Sequence, residues 1–335
     1  MPGGGRRLGL GIGLLVIALF SGRWLSLFLT ARLWEAQVSE AAAVVGTRWA
    51  ILRAGLETGG VVLAAAWFVV NFLAAARVAL PPGRELPGLA GRLAHPARRW
   101  LVVGAALVLG IGVGRGSGRW VERLLLALHG VRYDATDTLF HVDLGLFVAG
   151  FPLWRLLYRR AIAVVAPALL GVLLIHTLGG TLRIDQRRLW LAPRARLQLA
   201  LLLSVAALVL GWGLALQPFR LAATQSAELG PSEFILRTTV AELEAVFAAT
   251  AGVLSFLWGL RMRFVVALGG WVGFGIALLA GEILVASRSG DTTPSAALLA
   301  PLRPVDTIAF ALRRGGPQDL APPGPGRPLE LGPSL

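Results

Sequence analysis

Seven long apolar runs dominate this chain, at residues 8–29, 59–79, 100–114 with a few flanking positions, 161–181, 197–216, 240–260 and 264–285. A helix needs about 20 predominantly apolar residues to cross a hydrocarbon core about 30 Å thick. The runs therefore predict an all-α polytopic membrane helix bundle of about seven transmembrane helices. Composition agrees: 56% of the residues are hydrophobic and 15% are charged, where a soluble domain carries about 25% charged residues. The first run follows Arg6 and Arg7 and continues through Trp24 to Leu29 without a small-residue cleavage pattern, so it reads as a span and not a signal peptide. Residues 1–288 form the transmembrane helical domain on this reading. Residues 289–335, ending in APPGPGRPLELGPSL, read as a flexible Pro/Gly-rich extracytoplasmic tail.

Arginine placement orients the bundle. All 32 basic residues are Arg, which beside abundant Ala, Leu and Gly suggests a GC-rich bacterial genome. With the N-terminus inside, the inner segments hold 14 arginines against only Glu85 and Asp185, and the outer side holds 18 arginines against 16 acids. Cytoplasmic loops retain positive charge during insertion, so the expected location is a bacterial cell (inner) membrane with a cytoplasmic N-terminus and an extracytoplasmic C-terminus. The net charge of +14 is scattered over short loops, which argues against nucleic acid as a partner and for anionic membrane lipids as the counter-charge. The absence of cysteine excludes disulfides, thiol catalysis and thiolate metal sites.

Between the first two runs, ARLWEAQVSEAAAVVGTRWAILRAG places Trp34, Val38, Ala41, Val45, Trp49 and Leu52 on one helical face. This is an amphipathic helix, lying on the outer surface or packed over the outer ends of the bundle. Glycines in GLGIG at 9–13, and the pairs Gly110 with Gly114 and Gly269 with Gly273, have spacings that let helices approach closely in lipid. Trp24, Trp100, Trp212 and Trp258 stand near span ends, where interfacial anchors sit. His95 and His129 have no partnered nucleophile beside them, so no catalytic residue and no cofactor site is assigned. The spans also offer few ionisable groups of the kind that ion carriers use.

The stretch HGVRYDATDTLFHVD, residues 129–143, concentrates two histidines and three aspartates. On a helix Asp134, Asp137 and His141 would share a face, and with Asp143 they are the candidates for a metal. The alternative, adopted here, is that the aspartates cap a re-entering helix and pair with Arg132 or Arg155. Asp137, Phe140, Asp143, Phe147 and Pro152 fall in register with an Asp-Pro-x-Phe-x-x-Asp run followed by aromatic residues and a Leu-Pro; His176, Gly179, Gly180 and Arg183 match a His-x-x-Gly-Gly-x-Arg span end. On these residues the chain resembles the uncharacterised protein family 0182 of bacterial multi-pass membrane proteins. Thr138, Gly145, Leu146 and Phe151 depart from the pattern, and His141 stands outside it.

The resemblance implies seven spans and transfers no established activity. It also implies a large extracytoplasmic domain after the seventh span, in whose place this chain has only the tail, so it reads as the membrane half alone. The expected function is a non-enzymatic membrane scaffold or anchoring module for an extracytoplasmic or membrane protein partner. Trp120, Leu124, Phe140, Phe147, Trp154, Phe219 and Phe234 lie in the outer loops in larger number than a solvated rim requires, and would meet that partner. A transporter of an uncharged or amphipathic solute is the alternative, and a membrane enzyme acting on lipid the next.

Overall fold

The computed structural model describes residues 39–80, 95–130, 140–185, 188–225, 231–261 and 263–288, with Thr136 and scattered positions between 11 and 33. The protein is an all-α polytopic bundle. Its helices are α1 (Glu40–Ala79), α2 (His95–Gly114), α3 (Val121–His129), α4 (Phe151–Leu178), α5 (Pro193–Ala215), α6 (Gln217–Gln225), α7 (Pro231–Leu260) and α8 (Phe264–Arg288). A 3-10 turn at Ser117–Trp120 joins α2 to α3, and a π-turn at Leu146–Gly150 leads into α4. Among the described residues six helical stretches are long and apolar enough to cross a membrane, from Val44–Ala79 to Phe264–Arg288. The first of the seven apolar runs falls largely outside the described residues; its described positions are helical.

Helices extend past the apolar runs that revealed them. α4 begins at Phe151 and α7 at Pro231, about ten residues, or roughly 15 Å of helix, before residues 161 and 240. Hydropathy marks the part of a helix that suits hydrocarbon, whereas the polar turns beyond it, such as WRLLYRR, favour helix without being apolar. For the same reason the helix expected over 31–55 and the second span are one element from Glu40 onward: α1 runs unbroken for 40 residues. Trp34 and Val38 lie outside the described residues, and Val45, Trp49 and Leu52 are exposed.

Between the spans, two described segments depart from helix: residues 140–144 ahead of the π-turn, and a strand pair after α4. Leu182–Asp185 and Arg188–Leu191 form an antiparallel hairpin, β1–β2, with Leu182 opposite Leu191 and Arg183 opposite Trp190. Ala192 N donates to Thr181 O at 3.1 Å and closes its open end. The apolar runs give no sign of this hairpin, because two strands of four residues are too short to show a period.

The helices meet in a chain of pairs: α2 on α1, α1 on α4, α4 on α5, α5 on α7 and α7 on α8. Without water to drive apolar surfaces together, association in lipid depends on close van der Waals packing, which small residues permit. The interior fits that rule. Ala75, Ala106, Ala168 and Ala200 are fully buried in the main core, around Phe68 and Val172. A Cβ on Gly110 or Gly114 would collide with the α1 backbone at Ala65 or Val61, and one on Gly171 with the Phe72 ring. Gly269 and Gly273 behave otherwise. Gly269 faces open space and Gly273 only grazes Phe247; the close approaches on α8 are at Gly270 and Gly281. Trp258 is not an interfacial anchor either, being 4% exposed with its ring edge-on to Phe264 at 5.3 Å.

Candidate functional sites at the two ends of the bundle

At the end opposite the hairpin, the run that leads into α4 is held by Asp143. Its Oδ1 accepts from Gly145 N at 2.6 Å, its carbonyl accepts from Leu146 N at 3.0 Å, and its backbone bridges to Thr136. The side-chain bond is a local i to i+2 turn just ahead of the π-turn, and it is the part of the expected aspartate capping that falls on described residues. Pro152 then occupies the first turn of α4, where a missing N–H costs nothing. His141 is exposed and has φ +52°, a left-handed conformation. Its side chain is thus carried on the outside of the turn. Asp134 and Asp137 lie outside the described residues, and among the described residues no three metal-ligating side chains come together.

The aromatic residues of this end are used internally. Phe219, delivered by α6, stacks on Phe140 at 5.0 Å and also contacts Phe147, Phe151 and Trp154, while Phe140 meets Phe234 edge-on at 6.1 Å. Phe234 is buried. Of the rings expected to meet a partner, Phe140, Phe147, Phe219 and Phe234 pack on one another, whereas Trp154 stays 37% exposed; Leu126, Leu128, Val148 and Ile235 are exposed at this end as well.

Two larger cavities open beside this cluster. One, of about 630 Å³, is lined by Arg23, Arg53, Arg115, Arg119, Arg123 and Arg160 together with Glu57, Glu122 and Trp120. Glu57 is its organiser: its carboxylate accepts from Gly116 N at 3.0 Å and Gly118 N at 2.9 Å, fastening α1 to the corner after α2. Gly116 has φ +82°, which only glycine adopts cheaply. Arg160 donates to the carbonyls of Val113 and Arg115 and lies over the Trp120 ring. The second cavity, of about 330 Å³, is lined by Arg155, Arg159, Arg220, Tyr158 and Gln217 on one side, and by apolar residues of α5 and α8 on the other. A third space of about 70 Å³ lies between α7 and α8. Glu244 reaches it across Gly281, whose missing side chain makes the room, and is 7% exposed, whereas Glu242 and Glu282 are exposed.

At the hairpin end a network joins α1, α4 and α5 with the turn before β1. His176 is fully buried near the end of α4, with Nδ1 at 2.9 Å from Thr181 Oγ1 and Nε2 at 3.2 Å from Gln198 Oε1. The Gln198 amide is oriented by its own N–H, which donates to Asn71 O on α1 at 2.8 Å. Its oxygen therefore faces His176 and accepts from Nε2, while the Thr181 hydroxyl also donates to His176 O at 3.1 Å. Gly179 abuts Ala79 on α1 too closely for a side chain, and Gly180, at φ +63°, turns the chain toward β1 beneath the Arg183 guanidinium.

The family model described as Uncharacterised protein family (UPF0182) matches residues 8–288. This chain belongs to that family. Similar curated relatives are the UPF0182 proteins of a Nocardioides species (36% identical over 110 residues), of Leifsonia xyli (33% over 118) and of Mycobacterium tuberculosis (31% over 197). The matched stretches cover 32%, 35% and 57% of this chain but only 11%, 12% and 20% of the relatives. No solved structure matches.

The positions on which the sequence resembles this family divide between the two ends. Phe140, Asp143, Phe147 and Pro152 build the start of α4, whereas His176, Gly179, Gly180 and Arg183 build its finish. They are not brought together into one pocket. Sequence reasoning missed Gln198 and Thr181 as partners of His176, and Glu57 as a capping group, because each acts on residues distant in the chain. Two contiguous signals were available: the i,i+4 pair Arg155 and Arg159, and the GRGSG run at 114–118.

Proposed function

We propose that this chain is a membrane-anchoring module of the bacterial cell membrane, with the hairpin end cytoplasmic and the opposite end holding a protein partner outside. The observation that carries the reading is the filled interior. Phe68, Val172 and Ala168 are fully buried between α1, α4 and α5, the polar groups at the hairpin end are bonded to one another, and the buried Ser255 hydroxyl is taken up by Ala251 O and Trp271 Nε1. A carrier of ions or polar solutes needs ionisable groups and a path through the bundle. The arginine imbalance supports the orientation, and the much greater length of the relatives supports a role within a larger assembly.

Two measurements test this. Single cysteines at Gln186 and Ser232 should be protected and labelled, respectively, by an impermeant thiol reagent in intact cells; the reverse pattern inverts the orientation. Photoreactive residues at Leu128 and Ile235, both exposed, should capture a protein in native membranes that also co-purifies in mild detergent. Capture of lipid alone at both positions, with the purified chain running as a monomer, removes the anchoring role.

A further inference from the structure

The first turns of α4 carry WRLLYRR, which sets Arg155 and Arg159 on one helical face at i and i+4. Both guanidinium-bearing residues line the 330 Å³ cavity, flanked by Arg220 of α6, and no carboxylate is among the described residues that line it. Its other wall is Leu210 and Leu214 of α5 with Phe274 and Leu278 of α8. The neighbouring 630 Å³ cavity differs in kind, since Glu57 and Glu122 stand among its arginines. Arg155 and Arg159, side by side on one helical face, repel one another, and an anion placed between them removes the repulsion. The planar fork of a guanidinium matches phosphate oxygens in two-bond geometry. A soluble phosphate would leave the leucine and phenylalanine wall dry and unused. A phosphate joined to an acyl chain would use both walls. α8 also connects the cavity to lipid, because its outward stripe of Val272, Ile276, Leu279 and Ile283 is exposed along the same helix that supplies Phe274 and Leu278. Gly213 completes the shape: a side chain there would strike the Tyr158 ring on the cavity wall.

We infer that this cavity binds the phosphate headgroup and adjoining acyl carbons of an anionic phospholipid. The site is independent of the anchoring role, and either can fail without the other. The test uses the full chain purified in a mild uncharged detergent and titrated with dioctanoyl phosphatidylglycerol, dioctanoyl phosphatidylcholine, glycerol 1-phosphate and inorganic phosphate. Binding is read by intrinsic tryptophan fluorescence and by the shift in thermal midpoint. Phosphatidylglycerol should bind and raise the midpoint, while the other three compounds at the same concentration should not. The double variant Arg155→Gln, Arg159→Gln should lose about tenfold or more in affinity, as expected for two charge-assisted contacts. Arg48→Gln with Arg288→Gln, which removes the same charge from exposed positions at the same end, should bind as the parent does. Where the glutamine pair fails to fold, Arg155→Lys with Arg159→Lys keeps the charge, loses the fork, and should still weaken binding severalfold. Equal weakening by the Arg48 and Arg288 variant, undiminished binding by a folded Arg155 and Arg159 variant, or glycerol phosphate binding as tightly as the lipid would each overturn the site.

Discussion

The two ends of α4 handle polarity in opposite ways. At the hairpin end, His176, Thr181, Gln198 and the Asn71 carbonyl form a closed set in which each named group finds a partner in another element. At the opposite end, Glu57 and Asp143 spend their carboxylates on backbone N–H groups, and arginines outnumber acids around both larger cavities. A closed set buried away from water acts as a fastener, since any missing member strands its partners. Like charges gathered around a space stabilise little by themselves. The hairpin end is closed on itself, whereas the opposite end keeps arginine-lined space.

The largest effect should come from breaking the fastener. His176→Ala leaves a cavity and strands Gln198 Oε1, and should cost about 3 kcal/mol, read as a clear drop in thermal midpoint in detergent. A drop no greater than that of Arg159→Gln would end the contrast between the two ends. Next in size is Glu57→Ala, which leaves the N–H groups of Gly116 and Gly118 without their acceptor and should cost about 2 kcal/mol. Glu57→Gln, which keeps one acceptor oxygen, should recover part of that loss. Asp143→Ala removes one cap and should cost about 1 kcal/mol, with the loss confined to the segment before α4 in amide hydrogen exchange. The smallest change belongs to His141→Ala, expected within about 0.5 kcal/mol because the residue is exposed. His141→Gly should be neutral or slightly stabilising, since glycine meets the left-handed backbone without strain. A stoichiometric metal in the purified protein that disappears with His141→Ala would return the 137–143 run to the metal reading.

Much of the fold is legible in the order of residues. Val172 and Phe274 sit in apolar runs long enough to cross a membrane, and length with hydropathy alone identifies those runs. Asp143 as a cap can be read from its place before Leu144 and Gly145, because capping is local. The pair Gly110 and Gly114 can likewise be read from its spacing. The same spacing misleads at Gly269 and Gly273, because small residues permit a close approach without requiring one. Trp258 misleads for a related reason: a tryptophan near a span end faces either headgroups or core, and hydropathy treats the two alike.

What the sequence alone determined is the chemistry of single segments: which stretches avoid water, where arginines gather, and which family the chain belongs to. What only the tertiary structure decided is which segments share a space. The ring of Phe219 lies beside Phe140 because α6 folds back over the entrance to α4, and Gln198 reaches His176 because α5 returns antiparallel beyond the hairpin. Periodicity describes one helix about its own axis. The pairing of faces between helices depends on packing summed over many weak contacts, none of which is written in the spacing of any one segment.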